Sequence, residues 1–222
     1  MLSVFGKRNI PKYSKADILP VLNKVGSFLS VPALHDILCS DRKQLSLRSV
    51  MDKSQILLVN LAKGSVGADA SHLLGSLLLT SLSSASFSRV NIPESERKRF
   101  FVYLDEFQNY TTGSLVNMFS ELRKFGIGFI LAHQYLHQIP QDIRNAVLGN
   151  MGTIMCFTLC QADAQYMARE FYPVFETIDF INLPHYSIYL KLLIHGRTQQ
   201  GFSARTITIN DRDYKHGYID GG

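Results

Sequence analysis

What most constrains this chain is an alternation. Short runs of nearly uninterrupted apolar residues recur, each followed by a turn and then by a longer stretch of helical character. Residues 56–61 (ILLVNL), 99–104 (RFFVYL), 126–132 (GIGFILA) and 153–159 (TIMCFTL) read as strands. A strand with one solvated face alternates apolar and polar residues, so runs without that alternation point to burial on both faces. Between and after them the pattern predicts helices over 68–89, 114–124, 140–148 and 162–171. Residues 186–195 and 202–209 read as a closing pair of strands around a turn at 196–201. Upstream, a short helix is expected over 17–30. Asp17 lies near its N-cap, Pro20 in its first turn, and Leu19, Leu22, Val25 and Leu29 form its apolar stripe. The sum is an α/β fold: a mostly parallel sheet with helices on both faces and a C-terminal strand pair. In such sheets ligands bind beyond the carboxyl ends of the strands, so chemistry is sought there.

Composition narrows the class. The chain has 222 residues, 46% hydrophobic and 18% charged, which excludes general disorder and allows a core without disulfide or metal staples. Its net charge of +5 is a mild excess that permits an anionic partner such as DNA. Three cysteines, Cys39, Cys156 and Cys160, are too few and odd in number for a secreted disulfide scaffold and suit a reducing cytoplasm. Cys156 and Cys160 are expected as buried cysteines on one face of a strand rather than zinc ligands. No stretch reaches the roughly 18–20 apolar residues that span a membrane. The first fifteen residues lack the apolar region of a signal peptide. Residues 1–16 read as a basic, weakly ordered segment, 17–210 as the folded body and 211–222 as a tail.

The chemistry gathers at two strand tips. The run at 99–104 ends in Asp105-Glu106, the Walker B pattern of hydrophobic residues followed by two acids. The first carboxylate can hold the water shell of Mg²⁺ on a nucleotide, and the second can orient or deprotonate an attacking water. The next strand leads into Gln134, an amide placed to sense a γ-phosphate. His133 and His137 flank it four apart, but no HExxH motif accompanies them. Arg123-Lys124 closes the intervening helix, where cations complement the macrodipole. Its sharper reading is an arginine finger, with Arg144 as a weaker candidate. The Arg97-Lys98-Arg99 run reads as a solvated loop edge or a contact with a DNA backbone. The phosphate-wrapping motif G-x-x-x-x-G-K-[ST] does not occur, so these residues do not form a complete nucleotide site alone.

Several motifs occur in order: 56–64 (ILLVNLAKG), 73–79 (LLGSLLL), 103–109 (YLDEFQN), 121–126 (ELRKFG), 132–138 (AHQYLHQ), 143–153 (IRNAVLGNMGT), then Asp163-Ala164 and Glu170-Phe171. Together they resemble the C-terminal half of the motor domain of TraG/TraD-like conjugative coupling proteins, from about residue 17 to about 207. These are type IV secretion ATPases of the HerA/FtsK division. The resemblance implies part of a RecA-like P-loop NTPase core in a hexameric, ATP-driven DNA pump. It implies ATP and Mg²⁺ as cofactors, once a P-loop half is supplied. It also implies DNA, identical subunits, and secretion or relaxase partners, at the cytoplasmic face of the inner membrane. On matching positions Asp105 and Glu106 are Walker B, with Asp105 the magnesium carboxylate. Gln134 is the glutamine of the third motif and Arg123 the finger acting on a neighbour. Many relatives carry an arginine where this chain has Thr158. The alternative is a catalytically inactive module of the same fold that docks to a secretion or DNA-processing assembly. A third reading, an unrelated metal-dependent hydrolase, would use Asp105, Glu106 and His133.

Overall fold

The structure is a computed structural model that describes residues 14–31, 34, 35, 37, 45–111 and 113–207. The basic segment expected over 1–16 lies outside these residues apart from its last three. The tail over 211–222 and Cys39 lie outside them entirely. The chain divides into two compact units, Met1–Ala132 and His133–Gly222.

In the first unit, α1 (Lys15–Leu29) forms where the sequence predicts a helix. Its stripe is not buried, however: Leu19 and Leu22 are more than half exposed, and among the described residues nothing covers them. Then come α2 (Leu47–Asp52), capped by the Ser46 hydroxyl accepting the Ser49 N–H at 3.2 Å, the short α3 (Lys63–Val66) and the long α4 (Ala68–Phe87). The strand expected over 56–61 does not form. Ile56 and Leu58 are each 89% exposed, and neither strand of the adjacent pair is hydrogen-bonded to this run. Apolarity predicts burial, but a strand exists only where a neighbour supplies its ladder, and none of the described residues does.

The parallel pair that does form is β1 (Phe100–Leu104) and β2 (Ile127–Leu131), in register from Phe100 opposite Ile127 to Leu104 opposite Leu131. Between them lie α5 (Gly113–Glu121) and a 3₁₀ turn, Leu122–Phe125. The turn stops at Gly126, whose φ of +80° suits a residue without a Cβ. Leu115, Leu122 and Phe107 are fully buried, and Phe119 meets Phe129 edge to face at 5.1 Å.

The glycine of the 73–79 motif is required by a close approach. A Cβ at Gly75 would lie 2.3 Å from Cδ1 of Tyr110, so α4 needs a bare backbone where that ring crosses it. Helix propensity alone favours alanine there by about 1 kcal/mol. Gly75→Ala is nonetheless expected to destabilise the chain by about 1 kcal/mol or more, because the overpacked ring must shift. Urea unfolding would measure this, and a stabilised variant would show that Tyr110 yields freely.

In the second unit, α6 (Gln141–Asn150) precedes β3 (Ile154–Cys156), which is only three residues long. β3 pairs antiparallel with β4 (Ser187–Lys191), and β4 pairs antiparallel with β7 (Phe202–Arg205). The expected closing strands are therefore present, with a small hairpin of β5 (Leu193–Ile194) and β6 (Arg197–Thr198) at their turn. The helices α7 (Gln161–Glu170) and α8 (Thr177–Ile181) cover an aromatic core. In it Phe175 stacks on Tyr189 at 3.8 Å, and Phe180 meets Phe171 edge to face at 5.4 Å.

The two cysteines do not share a strand face. Cys156 is buried, and burial pushes its thiol up to about 12. Cys160 is exposed, beyond the strand's end at the cap of α7. The strand stops too soon to carry both. Among the described residues no helix is long and apolar enough to cross a membrane.

Candidate functional site

The carboxyl end of β1 is a tightly constrained corner. The β1–β2 ladder continues past both strands, with the Ala132 N–H donating to the Leu104 carbonyl at 2.9 Å and the Phe107 N–H to the Ala132 carbonyl at 3.1 Å. Phe107 is fully buried and anchors the 3₁₀ turn Phe107–Tyr110. Asp105 and Glu106 thus sit between a paired strand and a buried aromatic side chain. Asp105 is exposed, and one of its carboxylate oxygens accepts the Glu106 N–H at 3.0 Å.

Glu106 adopts the left-handed conformation, φ 48° and ψ 47°. For a non-glycine residue this costs on the order of 1–3 kcal/mol and persists only where the surroundings impose it. The result is a half-buried carboxylate of fixed direction, which accepts a hydrogen bond from the Gln108 side-chain amide. Backbone strain of this kind collects at functional sites.

Two further residues join this corner that the motif reading did not single out. Gln108 orients Glu106. Lys63, at the start of α3, donates from Nζ to the Asn109 side-chain carbonyl at 2.7 Å. The sequence signal was present, since Lys63 belongs to ILLVNLAKG and Gln108 and Asn109 to YLDEFQN. Spacing alone did not bring the two motifs together.

Of the other site residues, Arg123 belongs to the same unit as this corner, and Gln134 and Arg144 belong to the second. Arg123 is exposed on the turn that precedes β2, at the amino end of the pair. Five residues of strand, about 16 Å at roughly 3.3 Å each, separate that end from Asp105. Gln134 follows β2 by three residues, is exposed, and belongs to the second unit. Arg144 packs within its own unit. Its guanidinium lies 4.7 Å from the Tyr166 ring centroid, and the Tyr166 hydroxyl donates to the Asn145 side chain at 3.1 Å.

Thr158 donates its hydroxyl to the Leu183 carbonyl at 2.8 Å. Asp163 is buried, accepts the Leu136 N–H at 2.9 Å and faces His137 at 3.7 Å. That explains the Asp163-Ala164 motif as a tie between α7 and the turn that follows Gln134.

Residues 16–171 match the family model of the type IV secretion-system coupling protein DNA-binding domain. Solved structures show the same fold. The bacterial conjugative coupling protein TrwBdeltaN70, in its unbound monoclinic form, is 14% identical with a TM-score of 0.67. The match covers 90% of this chain and 52% of that one. Plasmid coupling protein TrwB in complex with the non-hydrolysable ATP analogue ADPNP gives 14% and 0.65, over 87% of this chain and 50% of that one. The complex with the GTP analogue GDPNP gives 14% and 0.66, with the same coverage. The chain therefore spans about half the length of the structures it matches. No curated protein sequence matches it. The mixed α/β fold is the one these solved coupling-protein structures share, and over most of its length the chain belongs to the type IV secretion-system coupling protein DNA-binding domain family.

Proposed function

We propose that this chain is the Walker B-containing portion of an ATP-driven DNA translocase of conjugative transfer. The observation that carries the reading is the strained acidic corner at the carboxyl end of β1. There an exposed Asp105 and a fixed Glu106 stand where a parallel sheet presents ligands.

The donor set fits a nucleotide-bound magnesium ion. Asp105 has one oxygen on the Glu106 N–H and the exposed remainder can accept from metal-bound water, the mode in which Mg²⁺ usually meets proteins. When bound, Mg²⁺ with ATP supplies the transferable phosphoryl group and neutralises its charge. Glu106 orients the attacking water and accepts its proton, held on line by the Gln108 amide. Gln134 reports the loss of the γ-phosphate to the segment that follows it. Arg123 lies too far along the strands to serve its own chain's carboxylates, which supports a role on a neighbouring subunit in a hexameric ring. The phosphate-wrapping loop comes from polypeptide outside these 222 residues. The assembly works on DNA with secretion and relaxase partners at the cytoplasmic face of the inner membrane.

The test is ATP hydrolysis by the 222-residue chain beside a version joined to a P-loop-bearing segment, each with and without single-stranded DNA. Turnover by the extended version alone, accelerated by DNA, is expected. No turnover by either, while the chain folds and captures a secretion component, would replace the motor with a docking module.

A further inference from the structure

Within the second unit, three side chains able to ligate a metal meet where the turn Leu136–Gln138 lies against the opening of α7. One ligand atom from each of His137, Cys160 and Asp163 lies within 4.8 Å of the other two. None of the three belongs to the acidic corner of β1.

Two features of the backbone build the cluster. Cys160 is the N-cap of α7 and Asp163 lies in its first turn, so both side chains leave the same end of the helix. An N-cap side chain ordinarily accepts an N–H of that turn. Cys160 makes no such bond, so capping does not account for its sulfur. The third ligand comes from a distant segment. The Leu136 N–H donates to Oδ2 of Asp163 at 2.9 Å, and this bond carries His137, the next residue, up to the carboxylate.

The surroundings of Asp163 point to a cation. Its side chain is only 4% exposed. A carboxylate so withdrawn from water is paired or ligates a metal. Its one hydrogen bond among the described residues occupies Oδ2. The other oxygen, Oδ1, faces Nδ1 of His137 at 3.7 Å, which is too long for a hydrogen bond. Two ligand atoms on one tetrahedral zinc ion lie about 3.3–3.6 Å apart, close to that separation. The wider gaps in the cluster need to close by about 1 Å to reach this range. Rotation of His137 and Cys160, both exposed, supplies that movement. An ion pair of His137 with Asp163 would satisfy those two groups and give the sulfur no part.

The donor set also selects the ion. A thiolate with an imidazole suits zinc, whereas Mg²⁺ takes oxygen ligands. Three protein ligands leave the fourth tetrahedral position for water.

We propose that His137, Cys160 and Asp163 bind one Zn²⁺ ion, which ties the turn at 136–138 to α7. Cys160 ligates as the thiolate, its proton passing to the buffer. The site goes beyond the translocase reading and does not depend on it.

The probe is Co²⁺, a spectroscopic stand-in for Zn²⁺, titrated into the reduced 222-residue chain. A thiolate-to-cobalt charge-transfer band is expected to saturate at one equivalent. Zn²⁺ is expected to abolish it, and the same excess of Mg²⁺ to leave it. Cys160→Ser is expected to lose the band. His137→Gln is expected to weaken Zn²⁺ binding, read by competition with cobalt, by about 100-fold or more, beyond the roughly 10–100-fold that outer-shell partners contribute. Both substitutions alter exposed side chains, so the variants are expected to fold. Cys39→Ser is expected to keep the band and the affinity. No band in the parent chain overturns the site. So does a band that persists in Cys160→Ser, or a parent-like zinc affinity in His137→Gln. Each of these results leaves the translocase reading standing.

Discussion

Replacing Glu106 by glutamine is expected to reduce ATP turnover by roughly 10²–10⁴-fold, the range a positioned general base contributes, in the chain joined to a P-loop-bearing segment. The substitution is nearly isosteric. It keeps the left-handed backbone of residue 106 and an oxygen for the Gln108 amide, and it removes only the ability to take a proton. Nucleotide binding should therefore persist, because the phosphate contacts lie on other residues and Asp105 is untouched. A steady-state hydrolysis assay paired with fluorescent-nucleotide binding separates the two effects. Parent-like turnover would remove Glu106 from the mechanism. Loss of binding together with turnover would make its role structural.

The largest stability effect is expected at Arg89, a residue with no assigned chemistry. Its side chain is fully buried. Nε lies 3.0 Å from an Asp52 carboxylate oxygen, Nη1 donates to the Phe125 carbonyl at 2.8 Å, and Nη2 donates to the Lys98 carbonyl at 2.7 Å. One guanidinium thus ties α2 to the segment before β1 and to the turn before β2. Arg89→Met would leave two carbonyls without their donor and remove the charge that faces Asp52, whose other oxygen still accepts from Arg48 Nε. Removing one partner of a buried ionic network costs about 3–5 kcal/mol. Arg89→Lys should recover little of it, since an ammonium is a point charge and cannot span three separated acceptors. Asp52→Asn should cost less, because that residue is partly exposed and water can replace the lost contact. The shift in the urea midpoint measures all three. A loss under about 1 kcal/mol for Arg89→Met would mean that water reaches the vacated carbonyls.

The acidic corner and the metal cluster were legible in the sequence to different degrees. Asp105-Glu106 stands out because a continuous apolar run followed by two acids is local in the chain, and the structure puts the pair at a strand tip as expected. His137 and Cys160 were visible only beside their neighbours in the chain, His133 and Cys156. The hydrogen bond from Leu136 to Asp163 spans 27 residues and sets their segments side by side, and such a contact is a property of two segments together. Lys63 and Asn109 lie 46 residues apart and meet only in the fold.

The sequence by itself determined the fold class, the order of most elements, the acidic pair and the family. Each of these depends on local periodicity or on short motifs that survive without knowledge of contacts. Only the tertiary structure decided that, among the described residues, no strand pairs with 56–61 and nothing buries the α1 stripe, that Cys160 leaves the strand, and that Glu106 is held left-handed. Each of those outcomes depends on whether a distant segment arrives to supply a hydrogen-bond ladder, an apolar cover or a steric constraint. An apolar run states what a segment needs, and only the folded chain shows whether the need is met.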